Sequence, residues 1–205
     1  MLAAASESMQ AFLDGSMPVD PSFVVRRGAG GRFELSIAGR FYPAWSGNLA
    51  QGLAQHGIGI VRGFARKVEA LRWQGCFELA PAPGGDSPLA INYLELASRS
   101  GGPRLRAPIQ LYRHQMCASA AHGGSIEVSL EGADQVGFRG SLLQRFASLA
   151  LFPEQMSIET SGGLVRDVFW LAGIGRTGPS GEARSALSRA LRRLEAGERL
   201  TAGAR

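Results

Sequence analysis

Hydrophobic and polar residues alternate along two separate stretches of the chain. Residues 33–37 read Phe-Glu-Leu-Ser-Ile, and residues 126–130 read Ile-Glu-Val-Ser-Leu, so the second stretch begins 93 residues after the first (126 minus 33). Alternation with a period of two is typical of a strand that buries one face. Each stretch is followed by a turn and then by apolar residues at helical spacing, such as Trp45, Leu49 and Leu53 after the first. Both stretches therefore predict a strand that leads through a turn into a helix.

The residues that follow each helix continue the same plan. Two strand-like runs come next, within residues 58–79 in the first stretch and 154–174 in the second. A further helix then begins at Ser87-Pro88 in the first stretch and at Ser180 in the second, since a hydroxyl residue is a favoured N-cap and proline suits the first helical position. A fourth strand is expected at residues 108–114. The second stretch has no clear counterpart, and either residues 198–202 or residues 23–25 can supply it.

This element order predicts an α+β fold made of two copies of one unit. Strand-helix-strand-strand-helix-strand is the ferredoxin-like order, with an antiparallel sheet and both helices on one face. A repeat of this length indicates a domain duplication and not a solenoid, whose periods are shorter. We expect an N-terminal helix and connector over residues 1–31, in which residues 1–15 form a short amphipathic helix. The first domain is expected at residues 32–118 and the second at residues 124–200.

Two short motifs resemble the ACT family of regulatory domains. Asp134-Gln-Val-Gly137 has the D-x-x-G form that this family places between its first strand and first helix, and Gly57-Ile-Gly-Ile60 resembles its entry to the second strand. The corresponding turn of the first copy reads Phe41-Tyr-Pro-Ala44 and departs from the D-x-x-G pattern. The resemblance covers about residues 32–194. It implies tandem ACT-like units that bind an amino acid or a similar small ligand and regulate a partner.

The second turn is suited to a carboxylate for physical reasons of its own. Its candidate binding residues are Asp134, Gln135, Val136, Gly137 and Phe138. A turn that enters a helix presents unpaired N–H groups and the positive end of the helix dipole, which together can hold a carboxylate. Gly137 permits close approach of a ligand, and Asp134 can accept an ammonium group. The structural alternatives are that Asp134 caps the helix and that Gly137 serves a turn dihedral.

The first turn is bulkier, and its candidate binding residues are Phe41, Tyr42, Ala44 and Trp45. An aromatic lining favours an apolar or planar ligand, such as an aromatic acid, over a free amino acid. The alternative is that Phe41 and Trp45 are core residues, since Trp45 lies on the apolar stripe of the predicted helix.

Composition narrows the class of protein. Apolar residues make up 45% and charged residues 19% of the chain, which is typical of a folded protein, and no apolar run suggests a membrane span. Cys76, Cys117 and the three histidines share no metal-ligand spacing, so neither a metal nor another cofactor is expected. The net charge of +5 comes almost wholly from arginine, but no recognition motif accompanies it, so a nucleic-acid partner is not expected.

These observations predict a cytoplasmic, non-catalytic protein that senses a small molecule and regulates a partner. It is expected to act as a homodimer or on a regulated protein partner, because edge strands of small sheets need cover. Two alternatives remain open at this point. One is a protein-interaction or assembly module without a small ligand, and the other is a small enzyme that uses the aromatic turn of the first domain. The nearest acid–base candidate is His114, although no catalytic set stands out.

Overall fold

Eight strands form a single antiparallel sheet whose apolar face is packed against the helices. The computed structural model describes residues 21–69, 71–99, 109–174 and 178–197. In chain order the described strands and α-helices are β1 (Ser22–Arg27), β2 (Phe33–Arg40), α1 (Trp45–Gln55), β3 (Ile58–Glu69), β4 (Arg72–Pro81), α2 (Tyr93–Ser98), β5 (Leu111–Ala118), β6 (Ile126–Ala133), α3 (Phe138–Ser148), β7 (Phe152–Ser161), β8 (Leu164–Ala172) and α4 (Gly181–Glu195). Short 3-10 turns lie at Ala29–Gly31, Pro88–Ala90 and Ala121–Gly123.

The sheet consists of two equivalent halves joined at its centre. Its strand order is β1-β2-β4-β3-β7-β8-β6-β5, so the second half repeats the first in mirrored order. Strand β6 begins 93 residues after β2 (126 minus 33), and α3 begins 93 residues after α1 (138 minus 45). The halves meet where β3 pairs with β7, and there Phe64 lies opposite Ser157, its own equivalent 93 residues later. The duplication seen in the sequence is therefore present in three dimensions, and it generates one continuous sheet.

The expected ferredoxin-like arrangement of two βαββαβ units is wrong. Each half is built as strand-strand-helix-strand-strand-helix, because the fourth strand of each half comes from its N-terminal end. Strand β1, which contains residues 23–25, pairs with β2 at the edge of the first half. Strand β5, expected near residues 108–114 as the last strand of the first unit, pairs instead with β6 in the second half. The order of three strands in each half, β2-β4-β3 and β6-β8-β7, does follow the expected plan.

Hairpin connections explain this order. The β1–β2 connection is short and contains Gly30 and Gly31 at positive φ, and the β5–β6 connection contains Gly123 and Gly124 at positive φ. Glycine adopts this left-handed region without the steric penalty of a Cβ, so each connection can reverse the chain directly. A strand joined by such a short reversal pairs with its neighbour in sequence, which places β1 on β2 and β5 on β6.

Two predicted helix starts have different outcomes. The Ser180 hydroxyl accepts a hydrogen bond from the Ala183 N–H at 3.1 Å, so the predicted N-cap of α4 is confirmed. The helix expected from Ser87 is interrupted, because residues 88–90 form a 3-10 turn and α2 begins only at Tyr93. There Asn92 is the N-cap and accepts from the Glu95 N–H at 3.2 Å. The predicted N-terminal helix at residues 1–15 and the possible strand at residues 198–202 lie outside the described residues.

The core of the first half is organised around Trp45. Its indole is fully buried, stacks on Phe41 at 5.0 Å between ring centroids and meets Trp73 edge-on at 5.4 Å. In the second half, Phe146 and Phe169 make a different aromatic contact between α3 and the sheet, at 5.4 Å. These large side chains belong to one apolar cluster that also includes residues of α2 and α4. A single core thus joins the two halves.

Close packing of α1 against α3 completes this junction above the central strands. A Cβ at Gly47 would lie 3.3 Å from the Cβ of Leu143, and a Cβ at Gly140 would lie 3.1 Å from both the Cα and the backbone nitrogen of Gln51. Gly47 and Gly140 are themselves 93 residues apart (140 minus 47), so the same position in each repeat faces the other helix. Glycine at both positions permits the helices to approach at backbone distance.

The sheet face away from the helices carries a row of charged residues across all eight strands. The pairing register places one residue of each strand in this row, in the spatial order Arg26, Glu34, Glu78, Arg62, Glu159, Arg166, Glu131 and Arg113. Arg62 lies 2.6 Å from Glu78, and both Arg113 and Arg166 lie 3.3 Å from Glu131. Six of the seven neighbouring pairs in this row join opposite charges, the exception being Glu34 and Glu78, and these opposite charges favour this register over a shifted one.

The helix contact generates the first prediction. Gly140→Ala should lower the free energy of unfolding by about 1–3 kcal/mol, because the added methyl meets the backbone of Gln51 and forces α1 and α3 apart. The matched control is Gly181→Ala at the first residue of α4, where a Cβ meets no other atom within 4 Å. There the substitution should be neutral or stabilising by up to about 1 kcal/mol. Urea denaturation measures both, and equal midpoints for the two variants would contradict the predicted clash.

Candidate functional site

A crevice opens between the two halves beside the turn that precedes α3. It has a volume of about 280 Å³. One wall is apolar and comes from α1 and from the adjoining ends of β3 and β4, with Ala50, Ala54 and Ile58 among its residues. The opposite wall is the continuous segment from Asp134 to Gly140, and Thr160 and Val165 complete the lining. We call this space the first crevice.

The turn at residues 134–137 exposes the start of α3 to this crevice. Gly137 is the N-cap residue, with φ 82°, and no side chain caps the helix. The alternative that Asp134 serves as the cap is therefore wrong, whereas the alternative that Gly137 serves a turn dihedral is confirmed. Asp134 is exposed, and its N–H donates to the Gly163 carbonyl at 2.9 Å. Its carboxylate is thus located at the rim of the crevice, close to an uncapped helix end.

Two backbone amides at this helix end remain available. The Phe138 N–H donates to the Gln135 carbonyl and the Ser141 N–H to the Gly137 carbonyl. Arg139 and Gly140 lie between these two residues in the chain. Their N–H groups belong to the first turn of α3, where no carbonyl of the helix is available to accept from them. Both residues line the first crevice. Together with the positive end of the helix dipole, these amides make the α3 start a favourable place for a carboxylate group.

The floor of the first crevice is held by a buried ion pair. The Arg139 guanidinium donates to both carboxylate oxygens of Asp167, from Nε at 2.9 Å and from Nη2 at 3.0 Å. It also donates to the Ile60 carbonyl and, at 2.8 Å, to the Thr160 hydroxyl. Ile60 belongs to β3 of the first half, so one side chain of the second half binds both halves. The charge of Arg139 is neutralised by Asp167, and the hydrogen bonds of the guanidinium hold the crevice floor in place.

Burial has the largest effect on the pKa of Asp167. Desolvation raises the pKa of its carboxyl, since the charged form is disfavoured away from water. The Arg139 guanidinium and the Glu159 N–H act in the opposite direction. The arginine is therefore what keeps an ionised carboxylate tolerable at this buried position.

A second crevice of about 270 Å³ also lies between the halves, at the equivalent place with their roles exchanged. It is lined by the start of α1, the end of α3 and the start of β7, through Pro43, Ala44, Ser46, Gly47, Asn48, Leu143, Gln144, Ala147, Ser148, Phe152 and Pro153. Most of these positions have a counterpart 93 residues away in the first crevice; Ala147, for example, corresponds to Ala54 (147 minus 54). The duplication has therefore produced two related spaces, each formed by the start of one helix and the end of the other.

The predicted site residues separate into three groups. All five residues of the second turn (Asp134, Gln135, Val136, Gly137 and Phe138) line the first crevice. In the first turn, Ala44 lines the second crevice. The aromatic residues of that turn do not line either space: Phe41 and Trp45 are buried in the core, and Tyr42 is 80% exposed. The aromatic ligand pocket expected in the first half is accordingly occupied by the protein's own packing.

Sequence reasoning missed Arg139 and Asp167. Asp167 interrupts the apolar face of β8, between Val165 and Phe169, and a charged residue at an inward position was the available signal. A buried carboxylate requires a partner, but the sequence does not identify Arg139, which is 28 residues away. Only the packing of α3 on the sheet brings the two together.

His114 and the two cysteines were the other side chains with potential for acid–base, redox or metal chemistry. His114 lies beneath α4, with its Nδ1 atom 3.0 Å from the Glu195 carboxylate. Cys76 is a buried free thiol whose pKa is raised by desolvation, whereas Cys117 is free and exposed. Within the described ranges, no group of three His, Cys, Asp or Glu residues is arranged to hold a metal ion.

No family model matches this chain, and the comparisons with curated proteins and with solved structures gave no match either. The resemblance to ACT domains therefore stays a prediction, carried by the two short motifs. In the part of the chain that the structure describes, none of the helices is long and apolar enough to cross a membrane.

The buried ion pair generates a prediction about pH. Arg139→Met removes the guanidinium, so the pKa of Asp167 in the folded protein should rise further above its value in the unfolded chain. A carboxyl with a raised folded-state pKa favours folding most below its unfolded-state pKa. That contribution is lost as pH rises toward the folded-state pKa. The urea midpoint of this variant should therefore fall between about pH 5 and about pH 8 by more than that of the wild type.

The control is the double variant Arg139→Met/Asp167→Asn, which has no carboxyl at this position and should lack the extra pH dependence. Parallel pH profiles for the single and double variants would show that Asp167 does not titrate in this range.

Proposed function

We propose that this protein is a non-catalytic sensor that binds a small carboxylic acid in the first crevice and regulates a partner. The observation that carries this proposal is the uncapped start of α3 opposite an apolar wall. A ligand carboxylate would accept hydrogen bonds from the Arg139 and Gly140 amides, while its hydrocarbon part would lie against Ala50, Ala54 and Ile58. An aliphatic or aromatic acid of this kind suits a space of about 280 Å³.

An amino acid is the particular form that the rim of the crevice favours. Asp134 is exposed beside the helix start, where its carboxylate is available to accept a ligand ammonium group. The guanidinium of Arg139 is already neutralised by Asp167, so the ligand carboxylate would be held by amides and the helix dipole and not by a free cation.

Regulation would follow from the location of the crevice between the halves. Its two walls belong to α1 of the first half and to α3 of the second half, which touch at backbone distance. A ligand held between them would stabilise one arrangement of the two helices over others, and differential affinity of this kind is what shifts a conformational equilibrium. A partner protein that binds only one arrangement of α1 and α3 would then respond to the ligand.

Cavity filling tests the proposal. Wild-type protein is screened by thermal shift with L-leucine, L-phenylalanine, 4-methylpentanoate and 3-phenylpropionate. A ligand at ten times its Kd adds about 1.4 kcal/mol and should raise Tm by about 3–6 °C for a chain of this size. Ala54→Leu should abolish this rise, because the larger side chain occupies the crevice, whereas the matched variant Ala147→Leu fills the second crevice and should retain it.

The proposal fails if no acid raises Tm, or if the rise survives in Ala54→Leu while that variant is folded. Failure to bind any acid, together with stoichiometric binding of a purified partner protein, would favour the interaction-module alternative instead.

A further inference from the structure

We propose that the open face of the sheet, which is the face away from the helices, binds the open face of a second copy of this chain in a two-fold symmetric dimer. The residues of this face form rows that cross the sheet, and each row contains one residue from each strand that it crosses. This inference goes beyond the proposed function and does not depend on it, because both crevices are lined by the helices on the other side of the sheet.

The exposed part of the open face lies in the second half. Strands β2 and β4 carry three residues that share this face by strand alternation and are at most 7% exposed: Ala38, Gln74 and Cys76. In the second half, Ser157 and Glu159 on β7 and Gln115 on β5 are exposed. The side chains of Arg166 and Arg113 are 52% and 77% exposed. A contact with another molecule is therefore expected to be centred in the second half and not at the middle of the sheet.

The charged row of the open face is complementary to itself about an axis between β7 and β8. A two-fold axis parallel to the strands at this place puts β8 of one copy over β7 of the other, β6 over β3 and β5 over β4. Rotation about such an axis leaves each row at its own height along the strands. The row then forms three kinds of pair between the copies, each of opposite charge and each occurring twice: Glu159 with Arg166, Arg62 with Glu131, and Glu78 with Arg113.

The charge pattern favours this axis over the middle of the sheet. An axis between β3 and β7 would place Arg26 over Arg113 and Glu34 over Glu131, which are like charges. From β4 to β5 the row contains three arginines and three glutamates, so this strip is neutral although the whole chain has a net charge of +5. A neutral row of alternating charge gives no net attraction for a polyanion, but it fits a second copy of itself. Exposure and charge thus select the same region.

The neighbouring rows are complementary in size. About the same axis, each of three apolar side chains on the open face lies opposite a serine of the other copy: Val168 opposite Ser157, Leu164 opposite Ser161, and Phe64 opposite Ser129. These apolar side chains are partly buried in the single chain. Large side chains opposite small ones permit the two sheets to approach to the roughly 10 Å that is usual for stacked sheets. The dimer would then remove the remaining apolar surface from water.

The expected contact area suits a reversible dimer. Six strands about 4.8 Å apart and three rows about 6.6 Å apart cover about 600 Å² of each copy. The total of about 1,200 Å² is at the lower end of the range for specific, stable interfaces. Since much of this area is charged, the affinity should also fall as salt is added.

Charge reversal with rescue tests the inference on the full chain. Sedimentation velocity over a range of protein concentrations at low salt should show a monomer–dimer equilibrium for the wild type. Glu159→Arg and Arg166→Glu each place two like-charge pairs across the axis, so each variant alone should have a dimer Kd at least about 10-fold higher. An equimolar mixture of the two variants should recover a Kd within about threefold of wild type, because every pair in the mixed dimer again joins opposite charges. Recovery on mixing also shows that both variants are folded.

The matched control is Glu34→Arg, which reverses a charge of the same row on β2, outside the six strands in contact. It should leave the dimer Kd within about twofold of wild type. The inference is overturned if the full chain is a monomer, if Glu159→Arg dimerises as tightly as the wild type, or if mixing the two variants restores nothing. A full chain that is monomeric and becomes dimeric when residues 1–20 are removed would also overturn it, and would assign the open face to that N-terminal segment.

Discussion

Arg139 brings a permanent positive charge into the interior at the junction between the two halves. Its guanidinium donates to Asp167 on β8, to Thr160 on β7 and to the Ile60 carbonyl on β3, so three neighbouring strands and α3 are tied to one group. Removal of either charged partner leaves the other buried and uncompensated, which typically costs about 3–5 kcal/mol. The geometry of these bonds requires α3 to start above the centre of the sheet. The position of the first crevice follows from that requirement.

The duplicated architecture explains why the first and second crevices are related and why they differ. Each half places the start of its first helix against the end of the equivalent helix in the other half, and the glycines at positions 47 and 140 permit the close contact. Geometry of this kind is shared by both halves because it depends on the backbone. The side chains have diverged: an arginine–carboxylate pair lies beneath the first crevice, and Ser46 takes the position of that arginine in the second. One fold thereby offers two chemically distinct spaces.

The candidate site was predictable in part. The turn at residues 134–138 was identified from a strand, a D-x-x-G turn and an amphipathic helix in succession, and all five residues line the first crevice. The first turn was recognised at the equivalent position of the first repeat, but its aromatic residues were expected to line a ligand pocket. Trp45 lies instead between Phe41 and Trp73, since a helix stripe that faces the sheet buries its largest side chain there. A local pattern specifies that a residue is buried and does not specify whether its neighbours are protein or ligand.

The sequence by itself determined the local elements and the repeat of 93 residues, because alternation, helical spacing, caps and glycine turns act over a few residues. It identified β2, α1, β3 and β4 and their copies, and it located the turn before α3. The tertiary structure decided which strands pair. Strand β5 has an amphipathic pattern that fits either edge of a sheet, and its hairpin with β6 assigned it to the second half. The tertiary structure likewise decided the partners of Arg139 and Asp167 and the walls of both crevices. The ion pair and the crevice walls depend on contacts between segments far apart in the chain. The local sequence of one segment does not indicate which other segment it will contact.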